Sequence, residues 1–124
     1  MLRPFVGIKV LEINESRGLA KEAILDAEAK SILRASQGYI LLDERGVELT
    51  SIGFSEFIKK HLEASRTIDF VFGGAFGVSE EVKRNAKQTL SLSKMTLPHE
   101  ISRIVFLEQL YRAFTIIKGK EYHY

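Results

Sequence analysis

Three glycines follow an apolar run in the middle of the chain and are suited to close contact with a ligand. Gly73, Gly74 and Gly77 come directly after Ile68–Phe72, which has the composition of a buried strand. Glycine has no Cβ, so its backbone can approach a bound molecule closely. The spacing is not G-x-G-x-x-G and lacks the Lys-Ser/Thr ending of a P-loop, which disfavours those two modes of nucleotide binding. A tight strand-to-helix turn explains the glycines equally well, so spacing alone leaves both interpretations open.

A second run, LSLSKMTLPH beginning at Leu90, places three hydroxyl side chains between two apolar segments. Any one of Ser91, Ser93 and Thr96 is compatible with the solvated face of a strand. Three hydroxyls near a glycine turn are better explained as polar points in a largely apolar pocket. His99 closes the run in the first turn of a predicted helix, where a lone histidine is more often structural than catalytic.

The composition excludes several kinds of site. The 124 residues contain no cysteine, which rules out disulfides, thiolate nucleophiles and cysteine zinc sites. The lack of cysteine also favours a reducing compartment, and we expect a cytoplasmic protein. The three histidines are scattered, so we predict no metal site. No apolar run reaches the roughly 18 residues that span a bilayer, so we expect no membrane partner. The net charge of +2 neither indicates nor excludes nucleic-acid binding.

Strands and helices alternate along the chain. The runs with strand composition are Phe5–Ile13, Tyr39–Leu42, Ile68–Phe72 and a short segment beginning near Leu90. The predicted helices are Leu19–Ala35, about 51–64 with Thr50 or Ser51 as cap, a short one capped by Ser79, and about 99–117. This order predicts an α/β domain with a parallel sheet flanked by helices. Ligands bind such sheets at the carboxyl ends of the strands, which are Leu42, followed by a predicted polar loop at Asp43–Gly46, then Phe72 and the serine-rich run.

The last predicted helix is apolar around most of its circumference. Such a helix must be covered on more than one side, and a second subunit is a suitable cover. Glu108 and Arg112 are four residues apart in the favourable order, which predicts an intrahelical ion pair. The tail from Lys118 to Tyr124 mixes positive charge with aromatic rings, which suits RNA as well as it suits a frayed terminus.

Four motifs together resemble one known family. They are GGAFGV from Gly73, LSLSKMTLPH from Leu90, EQLYRAF from Glu108 and YH from Tyr122. They are similar to the RlmH-type methyltransferases of the SPOUT superfamily, and the similarity runs from about Phe5 to Tyr124. The LSLSKMTLPH run is long and unusual, so we regard it as specific.

The resemblance implies both a fold and an activity. The family's parallel sheet ends in a C-terminal trefoil knot, and its members are homodimers with the knot region at the interface. They use S-adenosylmethionine to methylate N3 of a pseudouridine in large-subunit ribosomal RNA. The resemblance implies ribosomal RNA in the large subunit or in the assembled ribosome as the substrate, and a second copy of the chain as a further partner.

Carried over by position, the resemblance also implies site residues. Cofactor contacts fall on Leu42, Gly73, Leu92, Ser93, Lys94, Met95, Thr96 and Leu97. Gly74 and Gly77 complete the same glycine turn and are assigned to the cofactor site with it. Arg112, Tyr122 and His123 match positions linked to substrate handling. We assign Arg112 to phosphate or base contact, the tail to RNA docking, and His123 as a candidate base.

The sequence departs from the family pattern in two places. The family begins with an additional strand and helix before the segment that matches Phe5, so we expect a single domain over residues 1–124 that lacks this unit. Ala75–Phe76 stands where the family usually has Pro-Glu or a polar pair. One alternative is therefore a catalytically weak, knotted module that binds RNA or the ribosome. Another is an unrelated small-nucleotide-binding α/β protein.

Overall fold

A computed structural model of the chain describes residues 7–12, 38–72 and 78–122. Four strands form one sheet in the order β1-β3-β2-β4: β1 (Ile8–Glu12), β2 (Ile40–Glu48), β3 (Ile68–Phe72) and β4 (Gln88–Ser91). Every pair of neighbours in this sheet is parallel. The predicted α/β class with a parallel sheet is therefore confirmed.

Three helices are described: α1 (Ser51–Ser65), α2 (Glu80–Asn85) and α3 (His99–Tyr122). The Thr50 hydroxyl accepts a hydrogen bond from the Gly53 backbone N–H at 2.9 Å and caps α1. The Ser79 hydroxyl accepts one from the Val82 N–H at 3.3 Å and caps α2. Both caps are the residue types that satisfy free N–H groups at helix starts, as predicted. The helix predicted at residues 19–35 lies outside the described residues.

The sheet has an apolar core on each face. Successive residues of a strand point to opposite faces, so Ile40 and Leu42 face one core while Tyr39 and Leu41 face the other. The first core lies against α1 and α3, and the Phe106 ring of α3 lies 4.8 Å from the ring of Phe70 between centroids. The second core includes Val71 from β3, the buried Val78 just before α2, and the buried Val82 within α2. Packing on both faces fixes the strand ends in place.

Tyr39 joins the sheet to α2 through a buried hydrogen bond. Its hydroxyl donates to the Val82 carbonyl at 2.5 Å. Burial, with a smaller effect of the Glu81 carboxylate, raises the pKa of Tyr39 above its ordinary value of 10.0. Tyr39 is therefore a neutral donor at physiological pH.

β2 leaves the sheet ladder for four residues, which we call the β2 excursion (Asp43–Gly46). Leu42 and Val47, on either side of it, are both paired with Leu90 of β4. A Cβ added at Gly46 would lie 2.6 Å from the backbone carbon and oxygen of Thr89, so the excursion passes directly against β4. The prediction that this strand ends at Leu42 is therefore wrong, because β2 continues to Glu48. The polar composition of these residues predicts a loop, but the strand resumes backbone pairing with β4 at Val47 and Glu48.

The other element boundaries differ less from the prediction. β4 begins at Gln88 and ends at Ser91, so the rest of the serine-rich run is a loop. α3 extends five residues beyond Ile117, through Gly119, where an added Cβ would meet nothing within 4 Å in the described part of the chain. The described residues do not test the predicted trefoil knot, which stays a prediction.

Candidate functional site

A cleft of about 480 Å³ opens at the carboxyl ends of β3 and β4, beside the β2 excursion. This volume lies in the range of small-molecule sites, roughly 300–1,000 Å³. Its lining is formed by Leu42, Asp43, Glu44, Arg45, Phe72, Val78, Leu92, Ser93, Met95, Thr96, Leu97, Pro98, His99 and Ser102. The position agrees with the general rule for open parallel sheets.

One wall of the cleft is the segment Leu92–Leu97, which we call the 92–97 loop. The buried Ser91 hydroxyl donates to the Ser93 carbonyl at 2.8 Å. The Ser93 hydroxyl accepts from the Met95 N–H at 3.0 Å. Two of the three hydroxyls predicted to meet a ligand therefore also shape the turn that follows β4.

The structure brings most of the predicted cofactor residues together. Those that line the cleft are Leu42, Leu92, Ser93, Met95, Thr96 and Leu97. Lys94 does not line it, because its Nζ donates to the Gly46 carbonyl at 3.2 Å. Gly73, Gly74 and Gly77 lie outside the described residues, although Phe72, immediately before them, is in the lining.

Other lining residues were not identified from the sequence as binding residues. Besides Phe72 and Val78, they come from the β2 excursion and from the start of α3, where Pro98, just before the helix, and His99 and Ser102 within it border the cleft. The His99 ring stands edge-on to the Phe72 ring, with centroids 6.1 Å apart. The sequence interprets a lone histidine there as more often structural, yet His99 borders the cleft. The available signal is Pro98, which directly precedes α3 and brings its first turn next to the serine-rich run.

The predicted pair on α3 is present. Arg112 Nη2 donates to Glu108 Oε2 at 2.6 Å, and Arg112 Nε donates to the same oxygen at 3.1 Å. Arg112 is not part of the cleft lining, and it follows Ser102 by ten residues, which is about 15 Å along a helix. Tyr122 is the last residue of α3. The side chain of Tyr122 and all of His123 lie outside the described part of the chain, so their predicted roles stay predictions.

One side of α3 exposes large apolar residues, and we call it the α3 apolar face (Ile101, Ile104 and Tyr111). Their exposed fractions are 45%, 63% and 65%. Arg112 lies on the same side, because residues 101, 104, 108, 111 and 112 fall within about a quarter to a third of a 3.6-residue-per-turn helix. The opposite side holds the buried residues Phe106, Leu110 and Ala113. The prediction that α3 is apolar on more than one side is therefore confirmed.

A second cavity of about 300 Å³ lies between the start of α1 and α3, and it shares Leu42 and Leu92 with the cleft. The Ser51 hydroxyl donates to Gln109 Oε1 at 2.7 Å across the contact between these helices. Within the described ranges, no three His, Asp or Glu side chains gather to hold a metal ion. No helix in the same ranges is long and apolar enough to cross a membrane.

Comparison with known proteins identifies the family. The family model described as "Predicted SPOUT methyltransferase" matches residues 1–123. A ribosomal RNA large subunit methyltransferase H from Thermodesulfovibrio yellowstonii is 47% identical over 125 aligned positions, which cover 100% of this chain and 82% of that protein. The proteins of the same name from an Anaeromyxobacter species and from Caldicellulosiruptor bescii are 42% and 40% identical. These alignments cover 96% and 94% of this chain and 80% and 77% of those proteins. The chain therefore belongs to the SPOUT methyltransferase family of enzymes, as its glycine and serine-rich motifs predicted.

Proposed function

We propose that this chain, as a homodimer, transfers the methyl group of S-adenosylmethionine to N3 of a pseudouridine in large-subunit ribosomal RNA. One observation carries the proposal. Six residues at which the family resemblance implies cofactor contacts line a single cleft: Leu42, Leu92, Ser93, Met95, Thr96 and Leu97. The names of the similar proteins support ribosomal RNA as the substrate.

The chemistry of the cleft fits the proposed cofactor. Its walls combine apolar side chains, among them Leu42, Phe72 and Leu97, with hydroxyl groups and the open backbone of the 92–97 loop. Apolar walls exclude water from a bound molecule, while a few polar groups fix its orientation. When bound, S-adenosylmethionine supplies an electrophilic methyl group. The task of the cleft is to hold that group against the acceptor nitrogen, and such positioning can account for much of the acceleration.

The acceptor nitrogen of a uracil ring carries a proton, which must leave before or during transfer. We assign His123 as the candidate base and Tyr122 as part of the tail that docks RNA. Arg112 is exposed on α3, where it is available to contact a phosphate or base. Arginine suits this role because its planar guanidinium binds phosphate in a bidentate manner.

A second copy of the chain is the proposed cover of the α3 apolar face. Two of its three members are more than 60% exposed, although α3 also contributes to the core on its other side. Several exposed large apolar residues on one side of a helix commonly mark an interaction site. Because Arg112 lies beside Tyr111, a dimer through this face would place Arg112 at the boundary between the two copies.

Calorimetry with S-adenosylmethionine tests the first part of the proposal. We expect saturable binding with a stoichiometry of about one S-adenosylmethionine for each chain. Methyl transfer to ribosomes then tests the second part, with the ribosomes taken from a strain that lacks the corresponding enzyme. Binding to the ribosome without methyl transfer would overturn the proposal in favour of the catalytically weak RNA-binding module.

A further inference from the structure

The β2 excursion and the 92–97 loop come from distant parts of the chain and contact each other beside the cleft. Each contributes residues to the cleft lining. The excursion is anchored at its base, because Leu42 and Val47 are both held in the ladder with β4. It is also fixed at Gly46, where the backbone of Thr89 leaves no space for a side chain. The excursion is therefore the more firmly supported of the two segments.

Two side-chain contacts connect the excursion to the loop. The Thr96 hydroxyl donates to Glu44 Oε2 at 2.6 Å. Lys94 Nζ donates to the Gly46 carbonyl at 3.2 Å. The first bond is short and has a charged acceptor, which makes it stronger than a bond between neutral groups. One contact therefore holds the first half of the loop at Lys94, and the other holds its second half at Thr96.

The loop needs such support, because it projects into solvent. Lys94, Met95 and Thr96 are exposed, and the internal bonds made by the Ser91 and Ser93 hydroxyls reach no further along the loop than the Met95 N–H. A loop that is ordered before its ligand arrives does not have to lose that conformational freedom on binding. Holding the second half of the loop is therefore a contribution to ligand affinity.

We propose that Glu44 is a positioning residue, which holds the 92–97 loop in its binding shape through Thr96. This inference rests on the proposed function, since the ligand of the loop is taken to be S-adenosylmethionine. Glu44 acts through Thr96 in this account, and Lys94 adds a second support at Gly46. This role also explains the charged residues of the β2 excursion, which an ordinary surface loop would not need.

A set of variants separates this role from a general effect on folding. Glu44→Ala removes the acceptor, Glu44→Gln keeps an oxygen that can accept from Thr96, and Thr96→Val removes the donor. Glu48→Ala is the matched control, because it is the same residue type, exposed on the same strand, four residues further on. The double variant Glu44→Ala with Thr96→Val completes a cycle that isolates the coupling between the two side chains.

Two measurements are made on each protein. The first is hydrogen exchange at the 93–97 amides without ligand, which reports loop order whether or not the cofactor is the one proposed. The second is the Kd for S-adenosylmethionine by calorimetry. We expect Glu44→Ala to speed exchange and raise the Kd by about three- to fivefold, the scale of one exposed charged contact. Glu44→Gln should recover most of the affinity, Glu48→Ala should match the wild type, and the double variant should be no weaker than Thr96→Val alone.

The two proposals fail in different ways. If the wild type binds S-adenosylmethionine while Glu44→Ala changes neither exchange nor Kd, the positioning role is wrong. The role would also be overturned if the losses of affinity in the two single variants multiply in the double variant, because that result shows that the two side chains act independently. If the wild type does not bind S-adenosylmethionine, the proposed function is wrong. Faster exchange in Glu44→Ala alone would still support the role of Glu44 in holding the loop.

Discussion

Ser102 and Arg112 lie on the same helix, but the structure gives them different surroundings. Ser102 borders the cleft in the first turns of α3, whereas Arg112 is exposed and bonded to Glu108. The sequence indicated Arg112 through its spacing and through the family motif. It gave no signal for Ser102, because an ordinary serine on a helix acquires a role only when the start of that helix is placed against the strand ends.

A larger side chain at position 102 should occupy the cleft and block cofactor binding without disturbing the core. Ser102 is only partly buried, and its backbone N–H is held by the Pro98 carbonyl at 2.9 Å. We expect Ser102→Phe to weaken S-adenosylmethionine binding by about tenfold or more, which corresponds to about 1.4 kcal/mol. Ser102→Ala should bind within about twofold of the wild type, since it leaves the space open. Equal affinities in calorimetry for the two variants would place the ligand elsewhere.

Substitution of Arg112 tests whether this residue contacts the RNA substrate. The ion pair with Glu108 is exposed, so breaking it should cost less than about 1 kcal/mol of unfolding free energy. We expect Arg112→Ala to reduce single-turnover methyl transfer by about tenfold or more, as for loss of one charged substrate contact, with the cofactor Kd unchanged. Glu108→Ala breaks the same pair and keeps the guanidinium. If Glu108→Ala impairs transfer as much as Arg112→Ala does, the pair is structural and the substrate role is contradicted.

The elements that form the cleft follow from local sequence to different degrees. β3 and the two helix caps at Thr50 and Ser79 have the predicted positions, because apolar runs and cap hydroxyls act locally. The β2 excursion could not be predicted in this way. Asp43–Gly46 has the composition of a turn, and its course depends on a backbone contact with Thr89, 43 positions beyond Gly46 in sequence.

The bond between Tyr39 and α2 predicts a pH dependence of stability. The pKa of Tyr39 is raised in the folded protein by burial and, to a lesser extent, by Glu81, whereas in the unfolded chain it is about 10. The folded state therefore favours the protonated phenol. Its contribution is fully present below about pH 10 and is lost as pH rises through the higher folded value.

Urea unfolding of wild type and Tyr39→Phe from pH 7 to 11.5 measures this effect. At pH 7 the variant should be less stable by about 1 kcal/mol, the typical net contribution of one hydrogen bond. Above about pH 10 the wild type should lose stability more steeply than the variant, so the difference between them should shrink. A difference that stays constant up to pH 11.5 would contradict the effect of burial on Tyr39.

At the scale of the whole molecule, α3 connects the core, the cleft and the exposed surface. Its buried side packs on the sheet and α1, its first turn borders the cleft, and its apolar face points away from the described residues. The sequence predicted the excess of apolar residues on α3 and the parallel sheet. It did not specify the strand order β1-β3-β2-β4, because strand order is set by long-range contacts that composition and periodicity do not record.

The α3 apolar face gives a direct test of the homodimer. Ile104 is 63% exposed, so a charge there should leave the fold of one copy nearly unchanged. In a dimer that buries this face, the same charge would be desolvated without a partner. We expect Ile104→Glu to shift the protein from dimer to monomer in sedimentation velocity. Gln88→Glu, which adds the same charge at an exposed position of β4, should stay dimeric. Dimers of unchanged stability in Ile104→Glu would rule out this face as the interface.

The central claim is that this small α/β domain methylates N3 of a pseudouridine in large-subunit ribosomal RNA. The most direct test incubates the protein with S-adenosylmethionine that carries a deuterated methyl group and with ribosomes from a strain that lacks the corresponding methyltransferase. Mass spectrometry of the RNA nucleosides should then find the deuterated methyl group on N3 of one pseudouridine, and Ser102→Phe should lower its yield. A protein that binds both S-adenosylmethionine and ribosomes, yet leaves every pseudouridine unlabelled, would contradict the account.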